Sequence, residues 1–200
     1  MNNLKQLTNN YKFILASSSK TRIEYLRKFI KTFIIEEHSI NEDTYKKQFL
    51  EPSELADILA KHKALSLKNK YPDDIIIGSD QVLYCDKVII NKPKTLSMAK
   101  ENLLFLRNKI HMLYSSIYVI KRGKQFFNHL KVAKIFFNNI PDPVLDKYIS
   151  QNKETVLSTV GSYKIEENDK FNFVKILSGD VETILGFPLK DLMSKINQDG

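Results

Sequence analysis

Three consecutive serines followed by cations form the first segment of this chain that could bind an anion. Residues 17–19 are all serine; they follow the apolar run 12–16, and Lys20 and Arg22 come next. A helix that begins at such a serine has unpaired backbone N–H groups at its positive end, where phosphate oxygens bind well. The glycines of a Walker P-loop are absent. An ordinary serine N-cap beside surface cations is the alternative explanation.

A second candidate is the acidic segment Gly78-Ser79-Asp80-Gln81, which directly follows the apolar run 74–77. Open α/β sheets place ligands at the carboxyl ends of their strands. We therefore expect Asp80 at such an end, where a carboxylate binds Mg²⁺ or orients a water molecule. The alternative is a turn aspartate that accepts backbone N–H bonds.

Two lysines stand out by their position. Lys63 lies on a stripe of small residues of a predicted helix that begins at Pro52, and Lys92 is fixed beside a proline in Asn91-Lys92-Pro93. Either could reach a nearby anion, although most lysines are simply solvated. The segment Gly161 to Glu166 combines a glycine turn with polar residues, and an ordinary loop explains it as well.

The elements that must position these residues alternate in type. Apolar runs predict buried strands, and apolar residues at helical spacing predict helices between them. The predicted strands are 12–16, 33–37, 74–78, 88–90, 111–120, 125–137 and 171–177. The main predicted helices begin after Ser19 and at Pro52, Lys94 and Asp142. We expect residues 39–51 to be a polar loop. This order is typical of an α/β fold with a mixed sheet.

Composition narrows the function classes. The 200 residues fit one domain, with ends at about 1–10 and 198–200 that we expect to be frayed. The net charge of +8 suits anionic ligands, but the absence of a dense basic run argues against a nucleic-acid-binding domain. One cysteine excludes an internal disulfide, and the four histidines lack zinc-ligand spacing. Without a signal peptide or a long apolar run, we expect a soluble cytoplasmic protein.

Several of these segments occur in the order and spacing of known motifs. Taken together, residues 12–195 resemble the Maf family of nucleotide pyrophosphatases. The matching segments are Leu15–Leu26, Ile40-Asn41-Glu42, Lys63-Ala64, Gly78–Val82, Asn91-Lys92-Pro93, Gly161–Glu166 and Gly186–Leu189. The segment Ile77–Val82, together with Tyr163-Lys164 and Glu166, is closer to the 7-methyl-GTP subgroup than to the dTTP/UTP subgroup.

The resemblance implies a Maf and inosine-triphosphatase-like fold, with an elongated mixed β-sheet flanked by helices and a cleft between two lobes. It also implies hydrolysis of a nucleoside triphosphate between the α- and β-phosphates, with Mg²⁺ or Mn²⁺ as cofactor. Family members are often dimers, so the resemblance suggests a homodimer. It suggests neither a membrane partner nor a stable nucleic-acid partner.

The resemblance further implies roles for individual residues. Asp80, Glu42, Lys63 and Lys92 are the expected catalytic residues, and Asp80 and Glu42 are also the expected metal ligands. The expected substrate-binding residues are Ser17, Ser19, Arg22, Gln81 and Glu166. Which of Asp80 and Glu42 acts as the base is left open by the sequence.

The chain departs from the family pattern at Lys20-Thr21, Asn91, Glu167 and Arg107-Asn108. These departures leave an alternative open, a weak or inactive nucleotide-binding relative linked to cell division. A related alternative is an enzyme that removes inosine or xanthosine triphosphate, which uses a similar fold but different motifs.

Overall fold

The computed structural model describes residues 2–48 and 51–198. Between residues 13 and 35 a strand, a helix and a strand follow one another, as the apolar runs predict. The helices are α1 (Asn2–Asn10), α2 (Lys20–Arg27), α3 (Glu42–Lys46), α4 (Pro52–Ser66), α5 (Leu96–Leu106), α6 (Asp142–Gln151), α7 (Lys153–Ser158), α8 (Asn168–Phe171), α9 (Val181–Ile184) and α10 (Leu189–Gln198), with a 3₁₀ turn at Ile165–Glu167. The strands are β1 (Phe13–Leu15), β2 (Ile34–Ile35), β3 (Ile75–Cys85), β4 (Val88–Ile90), β5 (Lys109–Lys121), β6 (Lys124–Phe137) and β7 (Val174–Ser178).

The seven strands of the described residues form one mixed sheet, in the order β2-β1-β3-β5-β6-β7, with β4 paired to β3. β1 runs parallel to both neighbours, with Leu15 opposite Ile35 and Ile77. β4 is antiparallel to β3, and β7 is antiparallel to β6. The prediction of an α/β fold with a mixed sheet flanked by helices is therefore confirmed.

Contacts divide the chain into two compact units. The first unit comprises Met1–Gln81, Ser115–Lys131 and Leu185–Gly200, and the second comprises Val82–Tyr114 and Val132–Ile184. Each unit contains its own buried apolar residues, which are described separately below.

The first unit has apolar cores on both faces of its part of the sheet, because successive strand residues point to opposite sides. Phe13 and Leu15 pack on one face with residues of α2 and α10, while Ile14 and Ala16 pack on the other face with Ala60 of α4. Leu4 and Leu7 of α1 also pack against the first of these cores, so the N-terminal segment that we expected to be frayed includes a helix.

The second unit is built around aromatic residues. Phe137 and Phe173 are fully buried and stack with ring centroids 5.7 Å apart, and Tyr148 of α6 meets Phe173 edge-on. Helix α5 contributes Ala99, Leu103 and Leu106 to the same core.

Two predicted boundaries were wrong. β3 does not end at Gly78 but continues to Cys85, because its last residues pair with β4 across a turn at Asp86-Lys87. The predicted polar loop at 39–51 contains α3, which forms because Asn41 caps it by accepting a bond from the Asp43 N–H. Phe49 and Leu50 of that segment lie outside the described residues.

The helices of the described residues are all too short or too polar to cross a lipid bilayer. The longest, α4, has 15 residues.

Candidate active site

Gly78 sets the spacing between α4 and β3. A Cβ atom at this position would lie 2.1 Å from the carbonyl oxygen of Ala60 and 2.7 Å from the amide nitrogen of Ala64. Both atoms belong to the helix backbone and cannot move without moving the helix. Only glycine therefore fits, and the close approach brings α4 within reach of the polar residues that follow Gly78 on β3.

Lys63 of α4 is the cation at the centre of this region. Its Nζ atom lies 2.5 Å from Oδ1 of Asp80 on β3 and 2.7 Å from Oε1 of Glu42 on α3. The lysine side chain is only 5% exposed and that of Asp80 only 10%. A buried charge is costly unless it is paired. Lys63 meets that requirement because two carboxylates share its ammonium group.

Glu42 is held by three basic side chains. Besides Lys63, Nζ of Lys46 lies 3.3 Å from one carboxylate oxygen, and Nε2 of His38 lies 3.6 Å from the other. Interaction with His38 and with the Lys63 ammonium holds the pKa of Glu42 well below its usual range, although partial burial acts in the opposite direction. Glu42 is therefore a carboxylate anion across the neutral pH range.

Arg22 approaches the same region from α2. Its Nη1 atom donates to the carbonyl oxygen of Ser79 at 2.8 Å, and its Nε atom donates to that of Gly186 at 3.1 Å. Burial lowers the pKa of Arg22, and electrostatic attraction to Asp80 and Glu42 opposes this shift. Two backbone carbonyls thus hold the guanidinium close to the carboxylates of Asp80 and Glu42.

Gly186 completes the support of Arg22. Its φ of +78° lies in the region that favours glycine, and a Cβ there would lie 3.1 Å from Cδ of Gln81. The Gly186 carbonyl accepts from Arg22 and lies 2.9 Å from Oγ of buried Ser79. In the sequence, Gly186 belongs to the segment Gly186–Leu189, and its being a glycine is the signal that could have revealed this role.

The serine-rich turn forms a helix N-cap. Oγ of Ser19 accepts from the Arg22 N–H at 3.5 Å, and Oγ of Ser17 accepts from the Ser19 N–H at 3.2 Å. Ser17 is buried and Ser19 half-buried. The serine N-cap that the sequence suggested is therefore present in the structure. It is compatible with an anion at the helix N-terminus, and that second role stays a prediction.

Gln81 follows Asp80 on β3 and points to a different neighbour. Its Nε2 atom donates to Oγ of Ser115 at 3.1 Å. Asp80 itself lies within β3, three residues beyond Ile77, where parallel pairing with β1 ends. Asp80 therefore lies inside β3, and the expectation that it comes directly after the strand was wrong.

The predicted site residues are divided between the two units. Ser17, Ser19, Arg22, Glu42, Lys63, Asp80 and Gln81 belong to the first unit. Lys92 and Glu166 belong to the second unit, where Lys92 is exposed just after β4 and Glu166 is exposed in the 3₁₀ turn. Their proposed roles stay predictions. His38, Lys46 and Gly186 are the contacts that sequence reasoning missed.

The carboxylate oxygens of Asp80 and Glu42 suit a hard divalent cation such as Mg²⁺. Among the described residues, no group of three or more histidine, cysteine or acidic side chains could hold an ion on its own. Mg²⁺ is commonly bound by one or two carboxylates together with substrate phosphates. Two neighbouring hard-oxygen ligands therefore suit a cation that arrives with a phosphate.

Residues 12–198 match the family model described as Maf-like protein. The chain belongs to the Maf family. The Maf segments Leu15–Leu26, Gly78–Val82 and Gly186–Leu189 are the ones that supply Arg22, its two carbonyl partners and Asp80. The family motifs thus coincide with the contacts that build the cluster in the first unit.

Named relatives cover nearly the whole chain. A nucleoside triphosphate pyrophosphatase of Paramagnetospirillum magneticum is 33% identical over 191 residues, which are 94% of this chain and 98% of the relative. A 7-methyl-GTP pyrophosphatase of Bartonella henselae is 30% identical over 185 residues, which are 92% and 93% of the two chains. A solved structure of a HAM1 protein from Coxiella burnetii matches with a TM-score of 0.47 and 12% identity, over 94% of this chain and 99% of that one.

Proposed function

We propose that this Maf-family chain hydrolyses a nucleoside triphosphate to its monophosphate and pyrophosphate. The observation that carries the proposal is the buried Lys63, whose ammonium pairs with both Asp80 and Glu42 while Arg22 is anchored nearby. Cations beside carboxylates are the groups that phosphoryl chemistry needs, because charge on phosphate oxygens must be neutralised while a water molecule is oriented. The names of the similar proteins support the same activity.

Arg22 and the N-terminus of α2 bind the phosphates in this proposal. The fixed guanidinium supplies a full positive charge, and the first turn of α2 supplies backbone N–H groups around the Ser19 cap. Ser17 and Ser19 keep this turn in shape through their bonds to backbone N–H groups. Gln81 contributes to substrate binding from β3.

Asp80 is the residue we propose to accept the proton of the attacking water. A carboxylate whose pKa is held far below the working pH is a weak base, which disfavours Glu42 for that task. Glu42 is better suited to hold a cation or to keep Lys63 in place. This division of roles goes beyond the sequence, which left the two carboxylates equivalent.

We propose Mg²⁺ or Mn²⁺ as the cofactor, with Asp80 and Glu42 as its protein ligands beside phosphate oxygens. When bound, the ion would supply additional positive charge against the phosphate oxygens. Lys63 would then release part of its contact with the carboxylates and turn towards the phosphates. The roles of Lys92 as a cation for phosphate and of Glu166 as a residue that binds the nucleobase stay predictions from the family resemblance. A homodimer stays a prediction.

The substrate class we propose first is a modified purine nucleotide, 7-methyl-GTP. The segment Ile77–Val82 and the names of some relatives at about 30% identity favour it. The alternative pyrimidine substrates, UTP and dTTP, are distinguished by assay.

The experiment is a nucleotide panel of 7-methyl-GTP, GTP, UTP, dTTP and ITP, assayed for pyrophosphate with Mg²⁺, with Mn²⁺ and with EDTA. We expect metal-dependent release of pyrophosphate from at least one nucleotide, with 7-methyl-GTP preferred. Binding without any pyrophosphate release would overturn the enzyme proposal in favour of a nucleotide-binding protein. Release of orthophosphate alone would show cleavage at the wrong bond.

A further inference from the structure

Asn102 on α5 contacts two loops of the second unit that carry proposed site residues. Its Nδ2 atom donates to the carbonyl oxygen of Asn91 at 3.2 Å, directly before Lys92. The same atom lies 3.4 Å from Oγ of Ser162, in the loop that leads to Glu166. An amide nitrogen carries two hydrogens, so one side chain serves both loops at once.

The loop around Ser162 is fixed by other contacts as well. A Cβ at Gly161 would lie 2.7 Å from a ring atom of Tyr163 and 2.9 Å from Cδ1 of Leu83, so the backbone there is closely packed. Ser162 is fully buried, with a φ of +58°. The hydroxyl of Tyr163 lies 2.7 Å from Nε2 of buried His111. The loop therefore has one defined shape.

The loop that carries Lys92 is more exposed to solvent than the loop around Ser162. Asn91 and Lys92 are exposed, and Pro93 is the buried residue of the three. The carbonyl of Asn91 is the group that Asn102 holds. The bond from Asn102 thus ties the backbone before Lys92 to a loop that is already rigid.

We propose that Asn102 is a positioning residue, which fixes the Lys92 loop to the Gly161–Glu166 loop and so sets where the Lys92 ammonium group lies. It touches no reacting atom and acts only through the two loops. The inference rests on the proposed function, because it assigns Asn102 a part in the same phosphate chemistry.

The first test measures the coupling of the two loops directly, by amide hydrogen exchange. Asn102→Leu keeps a similar side-chain volume but removes both N–H donors. We expect faster exchange in peptides that cover 88–95, whereas peptides that cover 158–165 should change less, because their other contacts remain. Asn139→Leu is the matched control, because Asn139 is exposed in the same unit and its side chain makes no hydrogen bond among the described residues. Unchanged exchange in the peptides that cover 88–95 would overturn the coupling.

The second test is kinetic. Asn102→Leu should lower kcat/KM by about tenfold, a typical result of misplacing a binding group by a fraction of an ångström. In a Lys92→Ala background the same substitution should have little further effect, because the residue it positions is gone. A merely structural role would instead lower the melting temperature and multiply the two losses. Losses in kcat/KM that multiply in the double variant, or unchanged kinetics in the single Asn102→Leu variant, would overturn the proposal.

The two tests separate this inference from the proposed function. If the wild-type chain releases no pyrophosphate from any nucleotide, the proposed function fails and Asn102 can have no part in it. The exchange experiment still decides whether Asn102 couples the loops. If the wild type is active and Asn102→Leu matches Asn139→Leu in both measurements, the inference fails alone.

Discussion

Lys63 and Asp80 form a buried ion pair, in which Nζ and Oδ1 are 2.5 Å apart and both side chains are at least nine-tenths hidden from solvent. The pair joins the last turn of α4 to the middle of β3, and Glu42 extends it to a third element, α3. These groups lie on three separate elements of the first unit, so the contacts that stabilise this unit are also those of the proposed site.

Lys63→Met should destabilise the protein by about 3 kcal/mol, because it leaves Asp80 as an uncompensated buried charge. Urea unfolding of the variant and the wild type at pH 7 measures this difference. Lys61→Met on the same helix is the control: Lys61 is exposed, and its loss should change stability by less than about 0.5 kcal/mol. Equal losses of stability in Lys63→Met and Lys61→Met would show that the buried ion pair stabilises the protein no more than an exposed lysine does.

Asp80→Asn should lower kcat by about 10² to 10⁴, the usual contribution of a general base. The amide keeps the shape of the side chain but cannot accept a proton. Asp73→Asn, at an exposed position just before β3, should leave kcat unchanged. Both variants are assayed for pyrophosphate release, with far-ultraviolet circular dichroism as a check of folding. Wild-type turnover in folded Asp80→Asn would remove Asp80 from the mechanism.

Glu42→Gln should show a pH-dependent loss of stability. The folded state lowers the pKa of Glu42, so its contribution is fully present above the unfolded value of about 4.3 and fades as pH falls towards the folded value. The variant should therefore be less stable than the wild type by about 2 kcal/mol at pH 7, the scale of a hydrogen bond to a charged group. The difference should shrink below about pH 4.

Urea unfolding of Glu42→Gln at pH 7, 5 and 3.5 checks this expectation. Glu24→Gln serves as the control, because Glu24 is exposed on α2 and its removal should have no comparable effect at any of these pH values. A stability difference as large at pH 3.5 as at pH 5 would contradict the depressed pKa of Glu42.

Arg22→Lys should raise the KM for nucleotide by about tenfold, because an ammonium group cannot donate to two carbonyls in the fixed geometry of a guanidinium. Arg27→Lys, at the exposed end of the same helix, should leave KM unchanged. Steady-state kinetics of both variants measures the difference. If the two variants behave alike, the anchoring of Arg22 has no role in substrate binding.

The parts of the molecule that follow from local sequence were predictable. The apolar run 12–16 contains β1, Ser19 caps the next helix, and the small-residue stripe of α4 correctly singled out Lys63. Asp80 stands out in the sequence because it is an acidic residue just after the apolar residues 75–77. In each case the pattern is read within a few residues, so no long-range information was needed.

Other parts depend on partners that are distant in the chain. Arg22 and Gly186 are 164 residues apart, and no local pattern links a guanidinium to that carbonyl. β3 passes Gly78 because β4 pairs with its end, and short polar α3 has no apolar stripe to reveal it. His38 gains its contact with Glu42 only once α3 has formed.

The absence of a side chain at residue 78 has a consequence for the diversification of this protein. Helix and strand backbones there are already in contact, so even a methyl group would push α4 outward and carry the α-carbon of Lys63 with it. The backbone contact therefore fixes the distance between the Lys63 ammonium group and the Asp80 carboxylate. A small change in residue size at position 78 cannot adjust that distance. Mutations that alter which nucleotide is accepted must arise elsewhere, and laboratory selection for new substrates should leave this glycine untouched.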